Sequence, residues 1–508
     1  MVFDLSQAPQ LAAALAPDLL LMGGAMLLLL VAVWREESVA TARSIGVLSI
    51  ALCVATAAVI VWMMTRGATA TPGIIAVDDF RWVTDLIVLV GTIIALALAM
   101  DYARDESLPA AEMFVLILLS SAGMMLLAAA RDLIMVFLGI ELMSIAVYVL
   151  AGLNRRSSRS AEAALKYFLL GAFSTGFLLY GIALIYGATG STDLGVIGAA
   201  ITRQSVLTSP MLLIGIGLLI VGFGFKVSAV PFHMWAPDVY EGAPTPISAY
   251  MAAAVKAAAF AAFFRIWREA FPSAGLAWHL PLWWLAMVTM VGGNLIALAQ
   301  KNVKRLLAYS SIAHAGYLLV AVVASNEAGT AAFLFYLLSY TLATMGAFAV
   351  VMVVGTPGER HQEIADFAGL WQIRPWLASC MAVFMLALLG FPVFGGMGFF
   401  AKWYVVGAAL NSVSPQTHLA VALVITSAIS AGYYLAVVIA MFMRPRADNA
   451  PVPRRMGTPT ALVIGVAAVA LLVFGIVPGR LVDVASHSMP DIHHVKPAGP
   501  PMSALTSR

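Results

Sequence analysis

Long apolar runs separated by short polar breaks dominate this chain, and they predict membrane-crossing helices. A crossing needs about 20 apolar residues. On that measure the runs fall near 12–34, 44–65, 82–101, 110–130, 132–153, 162–188, 208–230, 244–266, 280–300, 303–324, 328–354, 374–411, 418–443 and 459–478. That makes an all-α polytopic membrane protein of about 14 transmembrane helices. The fourth and fifth runs are divided only by Arg131–Asp132, so thirteen is the alternative count.

Two runs carry helix-breaking residues. The twelfth, 374–411, is too long for one straight crossing and contains Pro392, Gly395, Gly396 and Gly398. The seventh has Pro231 and Pro237 after Gly222 and Gly224. Such breaks are tolerated in a membrane only where protein or water covers the freed backbone. A lysine lies beside each, Lys226 and Lys402, 176 residues apart. The stretch 166–187 also echoes 333–355. Spans 4–8 therefore read as a five-helix unit repeated in spans 9–13. Five is odd, so the two copies are inverted, as in transporter-type folds. The expected divisions are 1–109 for helices 1–3, 110–270 for the first repeat, 271–445 for the second, and 446–508 for the last helix and tail.

Charge inside the runs carries the chemistry. Glu141, Lys226, Lys256 and Lys402 each sit in apolar sequence. A charge at the bilayer centre costs at least ~2.5–3.5 kcal/mol, so such residues pair, line a polar cavity or move ions. A carboxylate near a lysine tunes the proton affinity of both. Lys256 has ten mostly small apolar residues on either side, which leaves no short path for snorkelling. His314, among Tyr309, Ser310, Ser311 and Tyr317, titrates in the range of a proton relay. The plainer readings are a tied-off carboxylate at Glu141, a core histidine at 314, and a helix-capping lysine at 402.

Composition narrows the class. Of 508 residues, 62% are hydrophobic and 10% charged, against about 25% charged in soluble domains. The longest polar stretches, 355–374, 444–458 and the tail after Pro478, leave no room for a soluble catalytic domain. A net charge of +3 gives no reason to expect nucleic acid. Cys53 and Cys380 lie in separate spans and read as small core residues. His233, Asp238 and Glu241 make a weak metal pattern and read better as a stiff loop with a half-helix; His493–His494 has no matching ligands. No Gly-rich phosphate loop, CxxC pair or haem histidine pair appears, so neither cofactor nor metal is expected in this chain. The first residues lack a basic region, so the first span is expected to be retained. Lys and Arg favour loops after odd-numbered spans by fifteen to six, which places those loops in the cytoplasm and both termini in the periplasm.

Three blocks carry a resemblance: KVSAVPFHMWAPDVYEGAPTPISAYM (226–251), KRLLAYSSIAHAGYLL (304–319) and GFPVFGGMGFFAKWYV (390–405). Together they closely resemble the antiporter-like, proton-pumping membrane subunits of respiratory NADH:quinone oxidoreductase, complex I, over spans 4–13. The resemblance implies a midplane chain in which Glu141 pairs with Lys226, Lys256 connects, His314 relays and Lys402 is terminal. It implies a place beside other membrane subunits and lipid in the bacterial inner membrane. NADH, FMN, iron–sulfur clusters and quinone would be held by partner subunits. A lysine at 402 fits one branch of the family, where another carries glutamate. The chain ends soon after the last span, with nothing to form the long lateral helix of a third branch. A subunit of a multi-subunit cation/proton antiporter is the alternative, since it shares fold and lysines. A substrate permease is disfavoured, because no organic-substrate site is evident.

Overall fold

The computed structural model describes residues 8–34, 38–67, 73–203, 208–272, 275–393, 396–446 and 452–490. Among them the helical crossings are α1 (Ala16–Trp34), α2 (Val39–Arg66), α3 (Asp79–Glu106), α4 (Ala110–Ala129), α5 (Leu133–Ala151), α6 (Ser158–Thr189), α7 (Pro210–Lys226), α8 (Thr245–Glu269), α9 (Gly275–Ala297), α10 (Val303–Ala324), α11 (Glu327–Val354), α12 in two halves (Pro375–Leu389 and Met397–Leu410), α13 (Thr417–Met443) and α14 (Thr458–Ile476). Twelve are long and apolar enough to cross a membrane unaided. The exceptions are α7 and the halves of α12, the two runs with breaking residues. Of the residues named at the second break, Gly395 lies outside the described set.

Side-chain caps set several helix starts. Asp78 accepts from the Arg81 amide at 2.9 Å, Asn302 from Arg305 at 3.1 Å and Asn326 from Gly329 at 2.6 Å. Asp132 does the same for α5, accepting from Ile134 at 2.7 Å. That cap separates α4 from α5 across a three-residue break, because it satisfies amides that would otherwise be orphaned.

The five-helix repeat is visible in the packing. α4 runs along α5 as α9 runs along α10, and α6 packs on α7 as α11 packs on both halves of α12. Glycines bring each first pair together. A Cβ on Gly123 would fall 2.5 Å from the Met143 nitrogen, and one on Gly139 2.9 Å from that of Leu127. In the second pair, Gly293 and Gly316 would meet the nitrogens of Ala313 and Met290 at 2.7 and 2.6 Å. Small residues allow such close approach in membranes, where helix association rests on packing contacts.

α8, α10 and α11 form the enclosed centre. The outer helices α1 and α2 expose Leu27, Leu30, Trp34, Val54 and Trp62 along apolar faces. One turn of α8, Met251–Val255, is a π-turn, immediately before Lys256. Both cysteines are buried and unpaired.

Candidate functional site

The basic side chains singled out in the sequence are all enclosed. Lys226, Lys256, His314 and Lys402 are 4%, 2%, 3% and 7% exposed. Lys226 ends α7 at its break and reaches the hydroxyls of Ser144 at 2.8 Å and Tyr148 at 3.3 Å on α5. The ion pair with Glu141 is not closed here. Glu141 lies one turn before Ser144, and its buried Oε1 makes no hydrogen bond among the described residues. Ser144 and Tyr148 were not singled out in the sequence. Their spacing of three and seven from Glu141 puts them on its helical face, and that was the available signal.

Lys256 follows the π-turn and donates to the Ser311 carbonyl at 2.9 Å and to its hydroxyl. π-turns recur at functional positions because the extra residue turns the next side chain onto a new face. Ser311 is on α10, one turn from His314. The His314 ring bonds the Tyr336 hydroxyl at 2.7 Å through Nδ1 and that of Tyr434 at 3.1 Å through Nε2. Tyr434 also bonds Ser310. The histidine therefore joins α10, α11 and α13 through hydroxyls.

Lys402, in the second half of α12, donates to the Leu389 carbonyl across the helix break at 2.9 Å and lies 4.8 Å above the Tyr317 ring. It caps the broken end, as the plainer reading of the sequence has it. It also shares a small cavity with His314, Tyr336 and Tyr340, so capping does not remove it from the polar row. Gly398 sets the angle of the break, since a Cβ there would lie 1.9 Å from the Ala387 carbonyl oxygen.

Two further networks escaped sequence reading, one at each end of α3. At its carboxyl end Glu359, in the loop after α11, accepts from Tyr102 at 2.5 Å, the Thr245 amide at 2.9 Å, Lys304 at 3.2 Å and Gln362. Burial alone would raise its carboxyl. The Lys304 ammonium and these hydrogen bonds outweigh burial and hold it at about 2. Nearby, Glu106 pairs with Arg454 at 2.6 Å. At its amino end α3 carries Arg81 and Asp85 in a second buried network.

The metal pattern resolves into ion pairs. Asp238 meets Lys166 at 2.8 Å and Arg305 at 2.7 Å, and Glu241 meets Arg305 at 3.0 Å. His493–His494 lies outside the described residues. No cluster of metal-ligating side chains occurs among those described.

Residues 130–430 match the family model described as NADH:quinone oxidoreductase/Mrp antiporter, TM. The chain is 54% identical over 494 residues to NADH-quinone oxidoreductase subunit N of Gemmatimonas aurantiaca, covering 95% of this chain and 94% of the relative. It is 46% identical to the subunit N of Trichlorobacter lovleyi, over 82% of this chain and 84% of that one. Among solved structures it resembles a chain of respiratory complex I from Thermus thermophilus with bound aureothin, with a TM-score of 0.77 and 36% identity, over 93% and 100% of the two chains. A chain of the Mrp complex from Dietzia shares the fold, with a TM-score of 0.78 at 21% identity, over 93% and 97%. The chain belongs to the NADH:quinone oxidoreductase/Mrp antiporter membrane family, within its NADH-quinone oxidoreductase subunit N group.

Proposed function

We propose that this chain is a proton-translocating membrane subunit of a NADH:quinone oxidoreductase in the bacterial inner membrane. Protons would move through Glu141, Lys226, Lys256, His314 and Lys402, driven by redox chemistry at NADH, FMN, iron–sulfur clusters and quinone in partner subunits. High identity to subunit N relatives over nearly the whole chain favours this over a cation/proton antiporter. The observation that carries the reading is the row of buried lysines bonded, among the described residues, to hydroxyls and carbonyls. Ammonium groups give up protons, and hydroxyls both donate and accept them, so the row alternates carriers with conductors.

Coupling enters at Lys226. Its ammonium now rests on Ser144 and Tyr148, one turn from Glu141. Two unit charges ~4 Å apart interact by about 4 kcal/mol at an effective dielectric near 20. Closing or opening the Glu141–Lys226 pair would therefore change how tightly the pair holds its proton.

The test is proton uptake per NADH oxidised, in vesicles holding equal amounts of assembled complex. Lys256→Ala should lower the ratio, and Lys256→Arg should lower it too, because a guanidinium does not release its proton. Unchanged rate and ratio with Ala at Glu141, Lys226, Lys256 and Lys402 would overturn the proposal.

A further inference from the structure

The network at the amino end of α3 has one carboxylate too many. Arg265 holds Asp78 with two bonds, at 2.7 and 2.8 Å. Arg131 holds Glu269, with Nε at 2.6 Å. Each of these guanidiniums has its own acid. Arg81 has two. Its terminal nitrogen meets Asp18 on α1 at 2.6 Å, and its Nε meets Asp85, one turn along α3, at 3.3 Å. The side chains of Arg81 and Asp85 are fully buried, and that of Asp18 is 8% exposed.

The remaining bonds of Arg81 go to backbone carbonyls. The other Arg81 terminal nitrogen donates to the Ala14 and Ala76 carbonyls at 3.0 and 2.8 Å. Arg268, on the same turn of α8 as Arg265, donates to the Ser325 carbonyl. With Arg268 set against Glu327, four carboxylates bond three guanidiniums among the described residues. By direct bonds the excess falls on Arg81, with Arg265 acting on Asp85 only through space.

The oxygens at this site point the same way. Asp18 Oδ1 and Asp85 Oδ1 are both buried, and neither has a hydrogen-bond partner among the described residues; Glu269 Oε2 is also unpartnered, but its carboxylate does not share its guanidinium with a second acid. A buried carboxylate oxygen with no donor is costly, and two carboxylates on one guanidinium repel each other. A single added proton addresses both. It removes the surplus charge and turns one unpartnered acceptor into a donor.

We infer that Asp18 and Asp85 share one bound proton across Arg81, forming a proton-holding site at the membrane face opposite Glu359. The site is separate from the midplane row and stands whether or not that row conducts. Its residues join α1 to α3, so the proton also fixes how the first helix sits on the bundle.

The inference is tested on the assembled complex by infrared difference spectroscopy with 13C-labelled aspartate. The wild type should show the C=O stretch of a neutral carboxylic acid, shifted by the label. Asp85→Asn and Asp18→Asn should each abolish that band, because either leaves one carboxylate for one guanidinium and nothing to protonate. Each single variant should assemble like wild type, whereas Asp18→Asn with Asp85→Asn should lose assembled complex by stranding Arg81. A band that survives in either single variant overturns the inference. So does loss of assembly in a single variant as large as in the double.

Discussion

Replacing Glu359 by glutamine removes one negative charge from a point where four elements meet. The side chain is 15% exposed, and its partner Lys304 is fully buried. After the change Lys304 keeps the Ala243 carbonyl at 2.7 Å and a neutral amide oxygen in place of the carboxylate, with Glu241 the remaining acid in reach. Stranding one partner of a buried pair costs ~3–5 kcal/mol. The carboxyl gives a similar figure. It is held at about 2 against an ordinary 4.5, and 1.36 kcal/mol per pKa unit makes this about 3 kcal/mol. A depressed carboxyl stabilises the fold above its unfolded value and loses that contribution as pH falls towards its folded one. The stability gap between wild type and Glu359→Gln should therefore be flat above about pH 5 and close between about 4.5 and 2. The assay is thermal dissociation of the complex in mild detergent across that range, with Lys304→Met and the double variant completing a cycle. Coupling should reach at least ~1 kcal/mol, since the residues touch. Additive single effects, or a gap independent of pH, would refute the argument.

Three further outcomes follow from the geometry. Gly398→Ala puts a methyl group against the Ala387 carbonyl and should cost about 3 kcal/mol or more, read as loss of assembled complex. Ser144→Ala with Tyr148→Phe strips Lys226 of its hydroxyl partners; NADH-driven proton uptake should fall with assembly retained, and an unchanged ratio would remove those hydroxyls from the path. Reporter fusions at Gly358 and Ser488 should report opposite sides, with Gly358 cytoplasmic; the reverse assignment would invert the proposed orientation.

The crossings were legible because lipid imposes apolar length on every span, and the tenth run, 303–324, matches α10 residue for residue. The break at Arg131–Asp132 was harder, since two residues barely interrupt the hydropathy. What divides the helices there is the Asp132 cap and the Arg131–Glu269 pair, and the pair joins residues 138 apart. The lysines stood out because charge is rare in such runs. Their hydroxyl partners did not, because serine and tyrosine cost little in a span. Glu359 was invisible for another reason. It sits in an ordinary polar loop, and nothing in GTPGERH indicates that Tyr102, Thr245 and Lys304 converge on it.

The 28 residues of α3 measure about 42 Å at 1.5 Å each, more than the ~30 Å of hydrocarbon. Arg81 ties one end to α1, and Asp78 ties it to Arg265 on α8. At the other end Tyr102 binds the Glu359 loop, and Asp101 holds Thr460 at the start of α14 at 2.6 Å. The helix thus gives one continuous hydrogen-bonded path from the Glu359 loop at one surface to the acids of the other, over a distance that screened Coulomb forces alone do not span. α3 contributes no lysine to the buried row, yet its two ends belong to the buried polar networks of both surfaces.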